Sequence, residues 1–255
     1  MSQINEMIQR QLQHRTIREF KDTSIPREIL EALMEVARRT ATSNGTQQFS
    51  IIRVTDSSIK KEIAEVCNQE YVGRAPELLI FIADQFRNNK IIKEKGAETE
   101  NASDMDRFFQ GFTDACLAAQ NVVNASESMD LGVVFLGSIL NDSAKICKIL
   151  KLPKLTFPVV GLGIGYSNQN PQLKPRFDNR LRIFENSYTI FDNYLEEMKE
   201  YDEEMTSYFD LRNANRRIDC FSDQVVSKIS NSLPNRQDIL KVIQEQGFKT
   251  ERCSS

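Results

Sequence analysis

Four side chains able to grip an anion fall within residues 14–18: His14, Arg15, Thr16 and Arg18. They supply an imidazole, two guanidiniums and a hydroxyl, and a guanidinium meets a phosphate with a fork of parallel N–H donors. His14 is the only histidine among 255 residues. A second basic knot, Leu173-Lys174-Pro175-Arg176, lies far downstream, and its proline keeps the backbone extended. Two such clusters could close on one phosphate from opposite sides, and phosphate is a common handle for a nucleotide or flavin. Read singly, each cluster is also compatible with solvated surface charge. The lone histidine, the hydroxyl of Thr16 and the polar loop Thr42-Ser43-Asn44-Gly45-Thr46-Gln47 favour a site at 14–18. A third group, Arg212, Arg216 and Arg217, is open between a site and a loop that balances the acidic stretch Glu196–Glu204.

The chain offers no convincing nucleophile–base pair. Its single histidine would have to serve any serine or cysteine triad, and no strand-turn-helix elbow frames a serine. Cys67, Cys116, Cys147, Cys220 and Cys253 show neither a CxxC pair nor metal-ligand spacing, so no metal site is expected. Helical acidic pairs are numerous but read as solvated. The chemistry therefore falls to a bound cofactor. Gly161-Leu162-Gly163-Ile164-Gly165 has the spacing GxGxG, and Ser167-Asn168-Gln169-Asn170-Pro171 follows it. A dinucleotide fingerprint needs GxGxxG opening a helix, so these glycines read instead as a core strand packed closely against other backbone.

The elements that must hold these residues follow from periodicity. Apolar spacing predicts a short helix over 3–13. A second helix carries Ile29, Leu30, Leu33, Val36 and Ala37 on one face, with Ser24 as its cap and Pro26 in its first turn. Strands are expected at Phe49–Val54, Leu78–Ala83, around Val133 between Gly132 and Gly137, and at Phe157–Tyr166. Leu78–Ala83 is apolar throughout, which predicts burial on both faces. Helices are expected at 57–67, 86–100, 105–129, 143–151, within 188–209, and near 222–231 and 235–246. The helix at 105–129 reads as buried and central. Gly132 and Gly137 are compatible with ordinary turns or with backbone held close to a planar ligand. Helices and strands do not alternate regularly, which favours an α+β fold.

Composition bounds the rest. At 40% apolar and 27% charged, the chain can build a core. A net charge of −3 argues against general binding to nucleic acid or anionic membrane. No apolar run approaches bilayer-spanning length, and MSQINEMIQRQLQ lacks a signal core. Free thiols in a reducing cytosol, hence a cytoplasmic protein, are expected.

The order of HRTIREF, TSNGTQQFSIIRVTD, NQEY, APELLIFIAD, LGVVFLGSILND, LKLPKLTFPVVGLGIGY, NPQLKPRF and NRRIDCFSDQ resembles the nitroreductase family of FMN-dependent enzymes. The likeness is closest to its NADPH-dependent, oxygen-insensitive nitroreductases and flavin reductases, and it covers nearly the whole chain. It implies an α+β fold with a mostly antiparallel central sheet wrapped by helices, in an intertwined homodimer. The domain would run from 1 to 255, with an extension from about 178 packing on the partner subunit. A ping-pong reaction is implied: NADPH gives a hydride to flavin N5, and nitroaromatics, quinones, azo compounds or free flavin take two electrons. The alternatives are a flavin reductase feeding a partner monooxygenase and a non-catalytic flavin- or nucleotide-binding protein.

Carried across, the resemblance gives His14, Arg15, Thr16 and Arg18 to FMN, with Arg18 near flavin N1. Thr42, Ser43, Asn44 and Gln47 would add loop contacts, and Gln69 would meet the polar edge of the ring. The backbone at Phe135, Leu136, Gly137 and Ser138 would approach N5, while Lys174 and Arg176 complete a phosphate clamp. Arg212 and Arg217 would grip the 2′-phosphate of NADPH. The sequence departs from the pattern with Thr16 and Ser138, where serine and glycine are common, and with a mixed 42–48 loop in place of a serine run. A cation beside N1 favours reduced flavin. About 1.4 kcal/mol of such preference corresponds to about 30 mV.

Overall fold

A computed structural model describes residues 5–210, 216–217, 219–231 and 233–250. Four strands form its main sheet: β1 (Phe49–Val54), β2 (Glu77–Asp84), β3 (Leu131–Leu136) and β4 (Thr156–Tyr166). Their order is β1-β2-β4-β3, and every neighbouring pair is antiparallel. The α+β reading with an antiparallel sheet therefore stands. Helices α1 (Glu6–Leu12), α2 (Arg27–Arg38), α3 (Ser57–Cys67), α4 (Tyr71–Arg74), α5 (Phe86–Glu94), α6 (Met105–Ser128) and α7 (Ser143–Ile149) surround it.

Strand β2 is buried at every position because both of its faces are covered. Leu79, Phe81 and Ala83 pack with α2 and α6, while Leu78, Ile80 and Ile82 pack with α3 and α7. This period-two division explains why the run shows no polar face. A side chain of this size, fully buried, contributes about 1.5–3 kcal/mol. Small residues on α6 (Gly111, Ala115, Ala118, Ala119) bring the helix close to the sheet, and a Cβ on Gly111 would lie 2.7 Å from the Gln48 carbonyl oxygen. Pro158 is accommodated within β4 because β3 pairs only with Gly161–Tyr166, and the β2 register shifts between Phe81 and Ile82.

The helix boundaries follow local chemistry. Asp56 caps α3 by accepting from the Ser58 and Ile59 amides, and Asn68 ends it in the left-handed region at φ 51°. The expected cap of α2 is corrected: Pro26 occupies the N-cap without a side-chain hydrogen bond, and Ser24 instead lines a cleft. The expected helix at 86–100 stops at Glu94, followed by Gly96 at φ 74°. The charged stretch at 188–209 is helical only over Tyr194–Thr206 (α8).

The chain divides into two compact units, residues through 169 with those from 233 onward, and residues 170–232. The smaller unit contains α8, a two-stranded ribbon of β5 (Phe209–Asp210) and β6 (Arg216–Arg217), and α9 (Phe221–Ser230). Phe177, Tyr201 and Phe221 pack ring against ring at 5.3–5.8 Å within it. The helix expected at 235–246 is broken at Asp238 into α10 (Pro234–Gln237) and α11 (Ile239–Glu245). Val242, Ile243 and Phe248 from this return segment join Phe108, Cys147 and Phe157 in one core cluster. Val242, Ile243 and Phe248 thus belong to the core of their own chain.

Segment 14–20 docks at the edge of the main sheet. The Ile17 amide donates to the Val133 carbonyl at 2.8 Å, Thr16 bridges Val133, and Phe20 bridges Ser167. Glycines make the seat: a Cβ on Gly132 would lie 2.7–2.8 Å from the Ile17 side chain, and one on Gly165 would lie 2.9 Å from Phe20. Gly132→Ala is expected to destabilise the protein by about 1–3 kcal/mol through overpacking. Denaturant unfolding checks this, and an unchanged midpoint would show that Ile17 has room to move.

Candidate functional site

The docked segment presents two guanidiniums in an unusual state. Nε of Arg15 and Nε of Arg18 are shielded from solvent, and among the described residues neither has a hydrogen-bond partner. An unpaired buried donor costs about 1–3 kcal/mol, and a charged one costs more. The neighbouring N–H groups do not remove that cost: Arg15 Nη1 reaches only the Gln13 carbonyl, at 3.0 Å. An anionic ligand would supply the missing acceptors. His14 is half-buried, with Nδ1 2.5 Å from Glu127 Oε1 at the end of α6. The Thr16 carbonyl accepts from Gln169 Nε2 at 3.5 Å.

Arg18 also lines a cleft of about 380 Å³ with Phe20, Ser24, Arg74 and Pro76. Arg74 pairs with Glu19 at 2.9 Å. It also borders a second cleft of about 560 Å³ that contains Gln69. The floor between α3 and β2 is fixed by charge. Arg53 holds Glu77 through two bonds of 2.6 and 2.7 Å, which raises the Arg53 pKa. Lys60 donates to the Ala75 and Pro76 carbonyls, and burial lowers its pKa.

Two expected site residues meet. The Ser138 hydroxyl donates to Gln69 Oε1 at 2.8 Å, which leaves the amide nitrogen of Gln69 as its outward donor. Gln69, read as exposed when taken by itself, is half-buried. Phe135 is exposed at the end of β3 and Leu136 is buried. A Cβ on Gly137 would meet nothing within 4 Å, and Arg236 Nη1 holds its carbonyl at 3.2 Å. Along β3, Val133 and Gly137 stand about 13 Å apart. Segment 14–18 thus bridges the middle of β3, and Gly137, which has no side chain, opens the turn just past the strand's end.

The 42–47 loop is anchored from below. Asp114, fully buried on α6, accepts from the Ser43 amide at 2.8 Å, the Ser43 hydroxyl at 2.9 Å and the Gln48 amide at 3.3 Å. The Ser43 hydroxyl is thereby committed to the fold. Asn44 and Gln47 take positive φ, 53° and 51°, and Gly45 takes 67°. Asn44 reaches Gln110 at 3.4 Å, Arg87 donates to the Gln47 carbonyl, and the Thr42 carbonyl accepts from the Gly45 amide. Asp114 and Glu127 are the residues that sequence reasoning missed, since both sit on a helix among carboxylates that read as solvated.

Lys174 and Arg176 belong to the smaller unit, where Arg176 Nη1 donates back to the Lys174 and Pro175 carbonyls at 3.1 Å. Arg217 pairs through its backbone with Phe209 in the ribbon. Arg212 and the side chain of Arg217 lie outside the described residues, as does Cys253. Cys67, Cys116, Cys147 and Cys220 are free thiols. Burial raises the pKa of Cys67 and Cys116 and pushes Cys147 up to about 11, so these three are poor nucleophiles at neutral pH. Among the described residues, no cluster could hold a metal ion and no helix is long and apolar enough to cross a membrane.

Asp114→Ala would strand three donors in the core. Amide exchange at Ser43 and Gln48 is expected to accelerate well before global unfolding, whereas unchanged protection would show that the loop is held by other contacts.

Comparison with known proteins gives a consistent result. The profile of the Nitroreductase family matches residues 12–166, and that of the Nitroreductase family, C-terminal domain, matches residues 174–251. An NADPH-dependent oxidoreductase of Staphylococcus aureus (strain MRSA252) is 30% identical over 240 residues, covering 92% of this chain and 94% of the relative. An FMN reductase (NADPH) of Bacillus subtilis (strain 168) is 32% identical over 248 residues, covering 96% and 99%. The structure of an NADPH:FMN oxidoreductase from Vibrio harveyi, complexed with NAD+, superposes with a TM-score of 0.86 at 30% identity, covering 97% of this chain and all of that one.

Proposed function

Because the chain belongs to the nitroreductase family, we propose that it is an FMN-dependent oxidoreductase that draws electrons from NADPH. The observation that carries this reading is the pair of shielded, unpartnered guanidinium nitrogens at Arg15 and Arg18. They fit a phosphate-bearing, anionic group, since charge-assisted bonds to such a ligand would satisfy donors that the protein leaves unmet. When bound, FMN would take a hydride from NADPH and return two electrons, in a separate half-reaction, to a nitroaromatic, quinone, azo compound or free flavin.

The chain's own part is to bind and to orient. Arg15 holds the phosphate, and Arg18 stands near N1 of the ring, where a cation favours the reduced state. Gln69, fixed by Ser138, offers an amide donor to a ring carbonyl. Gly137 leaves its peptide bare for close approach of a planar group. His14, Thr16, Thr42, Asn44 and Gln47 enter the proposal with them. Lys174, Arg176 and, for the 2′-phosphate of NADPH, Arg212 and Arg217 are carried by the family resemblance alone.

A homodimer is part of the proposal. Helix α1 buries none of its residues, and its Met7, Ile8 and Leu12 are 43–61% exposed. Such an apolar face on an amphipathic helix fits a second copy. The name of the Bacillus subtilis relative favours one further reading, in which free FMN is the acceptor and leaves reduced for another enzyme.

The purified protein is expected to be yellow and to bleach when NADPH is added without oxygen. Arg18→Ala should weaken FMN binding roughly tenfold to a hundredfold, the worth of one charge-assisted contact. A colourless protein with no FMN affinity in fluorescence titration would remove the reading. Arg217→Ala should raise KM for NADPH much more than KM for NADH, and equal effects would remove that assignment.

A further inference from the structure

Glu127 sits where a carboxylate ought to be a liability. It lies in the last turn of α6, its side chain only 13% exposed, and it touches the ring of the residue next to Arg15. A bare carboxylate there would repel an anion held by Arg15 and Arg18. The contact with His14 changes that role. Nδ1 donates to Glu127 Oε1 at 2.5 Å, a short bond that fixes the plane of the imidazole and commits one of its nitrogens. The other, Nε2, donates only when the ring is an imidazolium, and in that form it is left to meet the anion that the neighbouring guanidiniums hold. Without Glu127 the ring, which follows the end of α1, would be free to rotate about two side-chain bonds.

The surroundings keep the pair exclusive. Arg10 on α1 is turned to Asp130, pairs with Glu6 at 3.5 Å, and reaches only the Glu127 carbonyl oxygen, at 3.5 Å. Glu127 is thus the carboxylate in contact with the imidazole, while Glu6 and Asp130 pair with Arg10.

We propose that Glu127 is a positioning residue: by accepting from Nδ1 of the His14 imidazolium it aims the Nε2–H donor at the phosphate bound by Arg15. The inference rests on the reading of that cluster as a phosphate site.

The test compares FMN with riboflavin, which shares the ring and lacks the phosphate. Glu127→Ala is expected to weaken FMN about tenfold, as loss of an outer partner does for ligand histidines, and to leave riboflavin within about threefold. Glu127→Gln, which keeps an acceptor for Nδ1, should stay within about threefold of the parent for both. His14→Ala should match Glu127→Ala, and the double variant should lose no more than either single one. Equal weakening of FMN and riboflavin would overturn the proposal in favour of a structural role, as would losses that multiply in the double variant. If Glu127→Ala does not fold, the parent protein decides. With one histidine in the chain, labelling both ring nitrogens gives a single pair of resonances. FMN should shift Nε2 and spare Nδ1, and riboflavin should shift neither. Movement of Nδ1 alone would overturn the proposal. Should the parent show no preference for FMN over riboflavin, the phosphate reading itself falls.

Discussion

What residues 14–20 contribute depends on a surface stripped of side chains. Gly132, Gly163 and Gly165 leave room on β3 and β4 where a methyl group would collide with Ile17, press on Val134, or strike Phe20 and Pro76. Into that room go Ile17 and Phe20, and the backbone between them is tied to both strands. Once those two side chains are seated, the polar residues around them have little freedom. The burial of Arg15 Nε and Arg18 Nε follows from the docking of their apolar neighbours, and so does the chemical demand that they create.

Helix α6 works as the ruler of the site. It is 24 residues long, and at about 1.5 Å per residue the stretch from Asp114 to Glu127 spans about 20 Å. Asp114 fixes the 42–48 loop near one end of that span, and Glu127 fixes the imidazole at the other. The small residues between them keep the helix tight against the sheet. Two carboxylates on one rigid rod thus set the separation of two polar groups that are remote from one another in sequence. Gln48 and Gln85, both nearly inaccessible, extend the buried polar layer beneath the loop.

Much of the fold was legible in the sequence because its signals are local. The unbroken apolar run of β2 announced burial on two faces, and the small residues of 105–129 announced a central helix. The GxGxG run was rightly assigned to close packing in a core strand, but the neighbours of its glycines are side chains (Leu136, Ile80, Val134, Ala75, Phe20 and Pro76) and not the other backbone that was expected. Ser24 misled because a plausible cap two residues before Pro26 says nothing about where the chain turns. The partners of His14 and Ser43 were out of reach: Glu127 and Asp114 look like any helical acid until the tertiary contact exists. The pairing of Ser138 with Gln69 belongs to the same class, since nothing local connects positions 69 apart in the chain.

The return of residues 233–250 to the first core has a cost in time. Phe108 meets Phe248 ring to ring at 5.0 Å, across more than half the polypeptide. Contacts so distant in sequence must close a large loop before they are rewarded, and folding slows as such contacts accumulate. Until the chain beyond residue 240 has been synthesised, Phe108 and Phe157 have no Phe248 to cover them. A nascent chain would expose that aromatic patch throughout the making of the 170–232 unit, an interval in which chaperone capture competes with self-association.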